Sequence, residues 1–509
     1  MRTINKKGAI MSLLLNLLFI SVKCQPTFNT RIDFYDTPDQ STSLLVEGDT
    51  IYIPILTQAP SIFNWYLSSL NKLSNNGTLI KGSAFQTPYY STIPYDIDKV
   101  GNKFFLTNTM GDSTTALFGS VQGGGAFFNN NLDSLEIKVF NDTANFFYHS
   151  KAVVKNNKIT ILGSTDSTCG SIANGNYKFH LLQIDTSLNI IFQKTYGSTC
   201  EYRNAYSIDT THSNGFIICG FERTSPVGWG TTRVIKTDSL GNQLWTRNYG
   251  IINTIVPSAM ATRTSGYLIA TNEIDSSYMS TFFWMTLRLH RIDENGDTLW
   301  TKRIGNKNYA FLPTCVKQLA NYDFIISGVN AVPHYDISGN VVSEQPHGFL
   351  CRTDSSGNVK WFNNYVGNYA NDSTADNYLM DVSQTSDGGF VASGWVNPTD
   401  TSTQDAWIIK VDSLGCLSPG CNGTLSVNTI QIGFPEFNIY PNPANDFIYV
   451  ETDFGNCYFS VFDVTGKLIL REKIVQNSTR IDLSNYSNGL YFIQLQNDEK
   501  QISKKFIKQ

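Results

Sequence analysis

Short apolar runs alternate with small polar turns along most of the chain, and the alternation repeats as one unit. The clearest copy is Asp387-Gly-Gly-Phe-Val-Ala-Ser-Gly-Trp395, followed by Asp405-Ala-Trp-Ile-Ile-Lys-Val-Asp-Ser-Leu-Gly415. Apolar runs bounded by Gly, Asn or Asp predict buried strands in antiparallel meanders. A full unit is read from Ala205 to Tyr249. Strands are expected at Ala205–Thr211, Phe216–Phe221, Thr232–Asp238 and Gln243–Tyr249. Turns at Ser213-Asn214-Gly215 and Ser239-Leu-Gly-Asn242 separate the first two and the last two. Four such strands make one blade.

The unit recurs in both directions. Lys158–Gly163 pairs with Phe179–Asp185, Gly266–Ala270 with Leu287–Trp300, and Tyr322–Gly328 with Gly348–Trp361. Upstream the copies are fainter: Lys103–Asn108 is matched with the run through Leu132–Lys138, and Asp49–Ile55 with Trp65–Asn71. Seven units of roughly fifty to sixty residues predict an all-β, seven-bladed β-propeller of four-stranded antiparallel blades. Counts of six or eight stay open. The last unit lacks a fourth strand, and Phe28–Tyr35 is an unassigned strand. Joining the two would bring both ends of the array into one sheet and remove an open edge.

Two positions recur within the unit. Trp245, Trp300 and Trp361 occupy one place in the fourth strand; Gly163, Gly220, Gly328 and Gly394 end the second. Glycine there is expected to let neighbouring blades approach closely near the axis. The tight turns, Asp-Ser-Leu-Gly and its variants, are uniform and read as scaffold. Cation binding by Asp238, Asp293, Asp354 and Asp412 is the rival reading, but each turn supplies few oxygens. In position the turns are similar to the Asp-box of sialidase-like propellers. The pattern Ser-x-Asp-x-Gly-x-Thr-Trp is incomplete, so no activity is carried over.

The opposite face is variable, and variable loops on a rigid scaffold carry specificity. Its candidate binding residues are Tyr89, Tyr90, Tyr202, Arg203 and Tyr369, with His334, Tyr335, Asp336 and His347 in the long stretch Asn330–Gly348. Asp112–Gly125 is a further loop, with Gly123-Gly-Gly125 read as a flexible glycine run. Tyr, Asn and acidic groups on one rim suit a glycan or protein ligand. No His-Glu-x-x-His, Gly-x-Ser-x-Gly or phosphate-loop motif occurs. No cofactor, metal site or catalytic residue is therefore assigned. Carboxylate pairs for glycoside hydrolysis cannot be picked out, because any two blades can bring them together.

Composition changes the picture mainly for the address. Charged residues are 16% and net charge is -4, which leaves no basic footprint for nucleic acid. Arg2, Lys6 and Lys7 precede an apolar stretch, Ile10–Val22, which reads as a signal peptide over residues 1–24 with Gln25 first in the mature chain. No further stretch is long enough to span a bilayer. Cysteines fit an exported chain: Cys169 with Cys200, and Cys416 with Cys421 across a Pro-Gly turn, are expected disulfides. Cys219, Cys315, Cys351 and Cys457 read as buried free thiols.

The propeller is expected over 25–421 and a polar linker over 422–436. From 437 to 509 the pattern changes. Asn438-Ile-Tyr-Pro-Asn-Pro-Ala-Asn-Asp-Phe-Ile-Tyr-Val450, Phe459-Ser-Val-Phe-Asp-Val-Thr-Gly-Lys-Leu-Ile-Leu470 and Ile481–Leu495 are alternating strands with glycine turns. They predict a small Ig-like β-sandwich. These blocks closely resemble the type A C-terminal sorting domain of the type IX secretion system. The resemblance implies passage across the outer membrane of a Gram-negative bacterium, with the type IX machinery as partner. It also implies removal of the domain, with release or attachment to lipopolysaccharide. The body is similar to repeat propellers often carried on such cargo. A glycan- or protein-binding propeller is the leading expectation; a secreted polysaccharide hydrolase and a structural surface protein are the alternatives.

Overall fold

Aromatic and β-branched runs cut by Gly, Asn and Asp turns favour strands throughout. The computed structural model describes residues 25–34, 37–58, 66–85, 91–111, 121–140, 147–166, 177–197, 202–223, 230–252, 257–274, 285–305, 310–335, 341–367, 375–398, 403–418, 437–452, 457–463, 467–474, 478–496 and 501–509. All named elements in them are strands. The chain divides into two compact units, Met1–Thr429 and Ile430–Gln509. The expected signal peptide lies outside the described residues.

In the first unit the described residues form seven sheets, six of four strands and one of five. Strands follow one another as meanders: Tyr202–Thr210, Phe216–Arg223, Gly230–Thr237 and Gln243–Ile252 pair antiparallel in chain order. Each sheet packs on the next, and the last packs on the first, so the arrangement is propeller-like. Phe28–Ile32 closes it, pairing antiparallel with Asp405–Val411 so that Phe28 faces Lys410 and Ile32 faces Ala406. In the first sheet the inner strand is split into Asp39–Gln40 and Leu45–Glu47, both on Thr50–Gln58.

The core lies between sheets. Leu162 and Phe179 of the third sheet pack with Phe216 and Ile218 of the fourth. Trp407 is fully buried among residues of the sixth and seventh. Central strands are covered on both faces, which explains their near-continuous apolar runs.

The structure corrects three expectations. Lys103–Gly111 pairs with Ser91–Val100 and Val121–Phe128, whereas Ser134–Val139 is the outer strand on Val121–Phe128. The glycine run 123–125 is therefore strand, not loop. A Cβ at Gly125 would lie 2.2 Å from the Phe105 ring, so glycine makes room for that ring. Second, most of 330–348 is a hairpin: Phe324–Tyr335 and Val341–Thr353 stay in register through His334 opposite Ser343, and after a register shift Tyr335 lies opposite Val341. Third, Gly163, Gly220, Gly328 and Gly394 each face a bulge in the first strand of their own sheet. A Cβ at Gly220, Gly328 or Gly394 would lie 2.3, 2.2 or 1.8 Å from the carbonyl oxygen of Asn204, Leu312 or Tyr378. The glycine chiefly accommodates its own sheet's bulge; Gly220 also meets Phe179 of the preceding sheet.

The second unit is a sandwich. Phe437–Tyr440, Phe447–Thr452 and Ser478–Asp482 form one sheet; Leu468–Lys473, Tyr458–Asp463, Gly489–Gln496 and Gln501–Lys508 form the other. Ile448, Val450, Phe459, Val461, Ile493 and Phe506 fill the space between.

Candidate functional site

The tight turns are occupied with holding the ring. Asp238 Oδ1 accepts from the Leu240 and Asn242 N–H groups at 2.9 and 2.8 Å. Asp354 does the same with Ser356 and Asn358, and Asp412 with Leu414 and Cys416. Hydrogen bonds to the charged form hold the Asp238 carboxyl below its ordinary value, that of the Asn242 side chain chief among them. Each turn glycine also receives the preceding sheet. A Cβ at Gly357 or Gly415 would lie 2.7 or 2.9 Å from Trp300 or Trp361. The Tyr196, Tyr249 and Tyr365 hydroxyls donate to the Gly241, Gly296 and Gly415 carbonyls at 2.6, 2.7 and 2.8 Å. The recurring Trp and the recurring Asp-x-x-Gly are thus two halves of one contact between sheets.

A second set of polar groups converges on the inner strands. After each bulge the strand presents one side chain that reaches beyond its own sheet: Asp96, Lys151, Ser207, Cys315 and Asp381. Lys151 Nζ lies 3.0 Å from Asp96 and 3.8 Å from Asp381. Lys317 Nζ lies 2.8 Å from Asp381. Ser43, in the break of the first sheet's inner strand, joins Asp96 at 2.6 Å and Asp381 at 3.2 Å. Five sheets therefore meet in one network. Backbone donors join it, Ala152 N–H to Asp96 and Leu44 N–H to Asp381, while separate bonds from Ala259 N–H to Ser207 and from Val316 N–H to Ser258 link the fourth, fifth and sixth sheets.

Burial works against the Asp381 charge, but Lys317 and Lys151 outweigh it and hold the carboxyl well below the carboxylate range. Burial likewise opposes the Lys151 ammonium, and Asp96 and Asp381 hold it above the usual lysine value. Burial pushes the Cys315 thiol up to about 12, with Asp381 adding to it. Lys151 and Lys317 thus bridge carboxylates of neighbouring sheets and act as a clamp between them. Asp98, two residues past Asp96, is pushed up to about 6, mainly by burial.

At the other end of the ring the second strands end and the third strands begin; the segments that join them lie largely outside the described residues. At this end Tyr378, near the start of its first strand, faces Trp395, near the end of the second. Their rings stack with centroids 5.1 Å apart and planes 20° apart, both half-buried. Asp376 begins the strand opposite Asn397. Burial raises the Tyr378 phenol, and Asp376 raises it further. At the seam beside them Asp39 is fully buried. It accepts from Thr57 Oγ1 at 2.5 Å and Phe34 N–H at 2.6 Å. Burial raises its carboxyl to about 7 against those bonds, with Asp33 and Asp405 adding to the shift.

The expected rim residues fare unevenly. Tyr89, Tyr90, Asp336, Tyr369, Cys169, Cys200 and Cys421 lie outside the described residues. Tyr202, His334 and Tyr335 are strand residues by backbone, and His347 sits opposite Asn330. Arg203 is a correction: it is 2% exposed and its guanidinium meets Glu222 at 2.6 Å, with Arg233 on the same carboxylate at 2.8 Å. It is a buried ion-pair member in a strand, not a rim contact. Cys219, Cys315, Cys351 and Cys457 are free and buried as expected. Cys416 is buried and not among the free thiols. The network and the Tyr378–Trp395 pair escaped the sequence reading. The positions after the bulges are chemically unlike one another, so no motif marks them.

Residues 438–509 match the family model described as the secretion system C-terminal sorting domain. The tail is a type IX sorting domain. The protein is accordingly exported to the secreted or cell-surface space of a Gram-negative bacterium, and the type IX machinery recognises its tail. Among the described residues no helix is long and apolar enough to cross a membrane. No curated protein matches the chain. Among solved structures it is similar to a puromycin hydrolase at 10% identity and TM-score 0.47, covering 81% of this chain and 58% of that one. The chain thus spans less than two thirds of that protein's length. It is also similar to the polysaccharide lyase Uly1 at 6% identity and TM-score 0.45, covering 73% and 90%. A sialidase of Trypanosoma rangeli follows at 8% identity and TM-score 0.42, covering 91% and 89%. At these identities and scores none of their activities passes to this chain.

Proposed function

We propose that the first unit is a seven-bladed propeller, spanning residues 25–421 after removal of a 1–24 signal peptide, that binds a glycan on its loop-bearing end. A linker over 422–436 then leads to the sorting domain. Disulfides Cys169–Cys200 and Cys416–Cys421 belong to the same reading.

The stacked Tyr378–Trp395 pair carries the proposal. Half-exposed aromatic faces beside a carboxylate and an amide suit sugar rings, whose C–H faces lie on the aromatic and whose hydroxyls take the hydrogen bonds. Two features favour binding over catalysis. Asp381 is held between Lys317 and Lys151, and Asp39 bonds inward to Thr57 and Phe34. Tyr89, Tyr90, His334, Tyr335, Asp336, His347 and Tyr369 are the further residues proposed for ligand contact. The test is a glycan array with the mature first unit in the full chain, repeated with Trp395→Ala. A bound glycan whose affinity drops about tenfold in the variant supports the reading. Equal binding by both forms moves the site elsewhere, and no binding removes the glycan reading. Reducing sugar released from a polysaccharide panel, and lost on mutating rim carboxylates, would replace the binding module by a hydrolase.

A further inference from the structure

The four-stranded sheet of the C-terminal unit uses only one of its faces for the core. Alternation puts Phe459, Val461, Ile493, Leu495 and Phe506 on that face, all buried. The alternate positions make the other face. Across it Leu468 is opposite Phe462, Phe462 opposite Phe492, and Phe492 opposite Lys505. One row along, Leu490 is opposite Ile507. Leu468, Phe492 and Ile507 are 49%, 39% and 44% exposed. The solvated face of an antiparallel sheet is ordinarily polar. Here aliphatic and aromatic side chains form a cluster that no described residue of the unit covers, the mark of an interaction surface.

Its border has one sign of charge. Lys505 ends the apolar row. Arg471 lies opposite Ser460 and Lys473 opposite Tyr458, with the Arg471 guanidinium 5.3 Å from the Tyr458 ring centroid. Among the described residues no Asp or Glu shares this face: Glu472 and Asp463 fall on the alternate, core-side positions, opposite Phe459 and Tyr491.

We propose that this face is the docking surface by which the sorting domain engages the type IX machinery, and that the partner surface is apolar at its centre and bordered by carboxylates. A sorting domain must offer its receptor a patch that repays desolvation, and this one does. The cationic border makes an acidic rim the complementary partner and repels a second cationic copy of itself.

The test uses the full chain in a host with a type IX system, reading the surface-exposed fraction by protease accessibility of whole cells. One variant carries Phe492→Ser and Ile507→Ser; a second carries Arg471→Glu and Lys505→Glu. Both change exposed positions, and limited proteolysis of purified protein checks that the tail stays folded. About a tenfold drop in surface protein with accumulation in the periplasm, in either variant with a folded tail, is the expected result. If the serine variant unfolds, the charge-reversal variant decides. Undiminished export of folded variants overturns the proposal. A change in oligomeric state with normal export overturns it too, by assigning the face to a second copy. Deletion of residues 437–509 is the control: it should block export, which separates failure of this face from failure of the sorting assignment.

Discussion

At the scale of single residues, charge placement decides most of what this chain can do. Asp381 sits where two lysines, a serine and a backbone N–H converge, and its lowered pKa links it to folding. Its contribution is present above the unfolded carboxylate value near pH 4 and is lost as pH falls through the lower folded value. Asp381→Asn leaves Lys317 and Lys151 under-compensated and should cost about 3–5 kcal/mol at pH 7, read from denaturant unfolding. Asp39 runs the other way. Its folded value of about 7 lies above the unfolded one, so the folded state holds a proton that the unfolded state has released. Stability should fall as pH rises from about 4 to about 7. Asp39→Asn should flatten that slope while leaving stability below pH 4 little changed; an unaltered slope would show that another group sets it. Neither residue was legible in the sequence. An aspartate in a short strand looks the same whether it faces water, a lysine from the opposite side of a ring, or nothing.

At the scale of elements, the repeat is a set of matched contacts. The fourth-strand Trp and Tyr meet the next sheet's Asp-x-x-Gly turn, and the second-strand glycine meets its own sheet's bulge. Close approach between sheets accounts for Gly220, which meets Phe179, but the bulge that all four glycines face leaves no sequence mark; only the ladder shows two residues opposite one. Gly394→Ala tests the correction. Its Cβ would fall 1.8 Å from the Tyr378 carbonyl oxygen, so the bulge must move or the ladder break. A loss of about 3 kcal/mol or more is expected, with the Tyr378–Trp395 stack disturbed as seen by tryptophan fluorescence. The second sheet was misread for a related reason. Its third strand is built on glycines, which carry no hydrophobic period, while Phe105 and Phe127 supply the apolar volume.

At the scale of the whole molecule, closure is the event on which the ring depends. Phe28–Ile32 supplies the outer strand of the last sheet from the opposite end of the array. Trp407 Nε1 donates to Asn29 Oδ1 at 2.7 Å, and Gln25 accepts from the Ser413 N–H at 2.8 Å. Removing residues 25–32 should strip this strand, expose the edge of Asp405–Val411, and lower the unfolding temperature on the order of 10 °C, with aggregation through the open edge. A chain that unfolds at an unchanged temperature would show that closure contributes little. The axial network should report the same event. Its members come from five sheets, so it can assemble only once the last sheet has met the first.

The sequence by itself determined the strand periodicity, the meandering unit, the closing strand and the sorting tail. All of these are carried by local pattern: alternation, turn chemistry and blocks of contiguous residues. Tertiary structure alone decided which side chains meet. The axial clamp draws Asp96, Lys151, Lys317 and Asp381 from separate sheets, the aromatic stack draws Tyr378 and Trp395 from adjacent strands, and Arg203 passes from rim candidate to buried ion pair. Such contacts depend on register and closure, where a shift of one residue turns a side chain to the opposite face, and no local pattern carries that information.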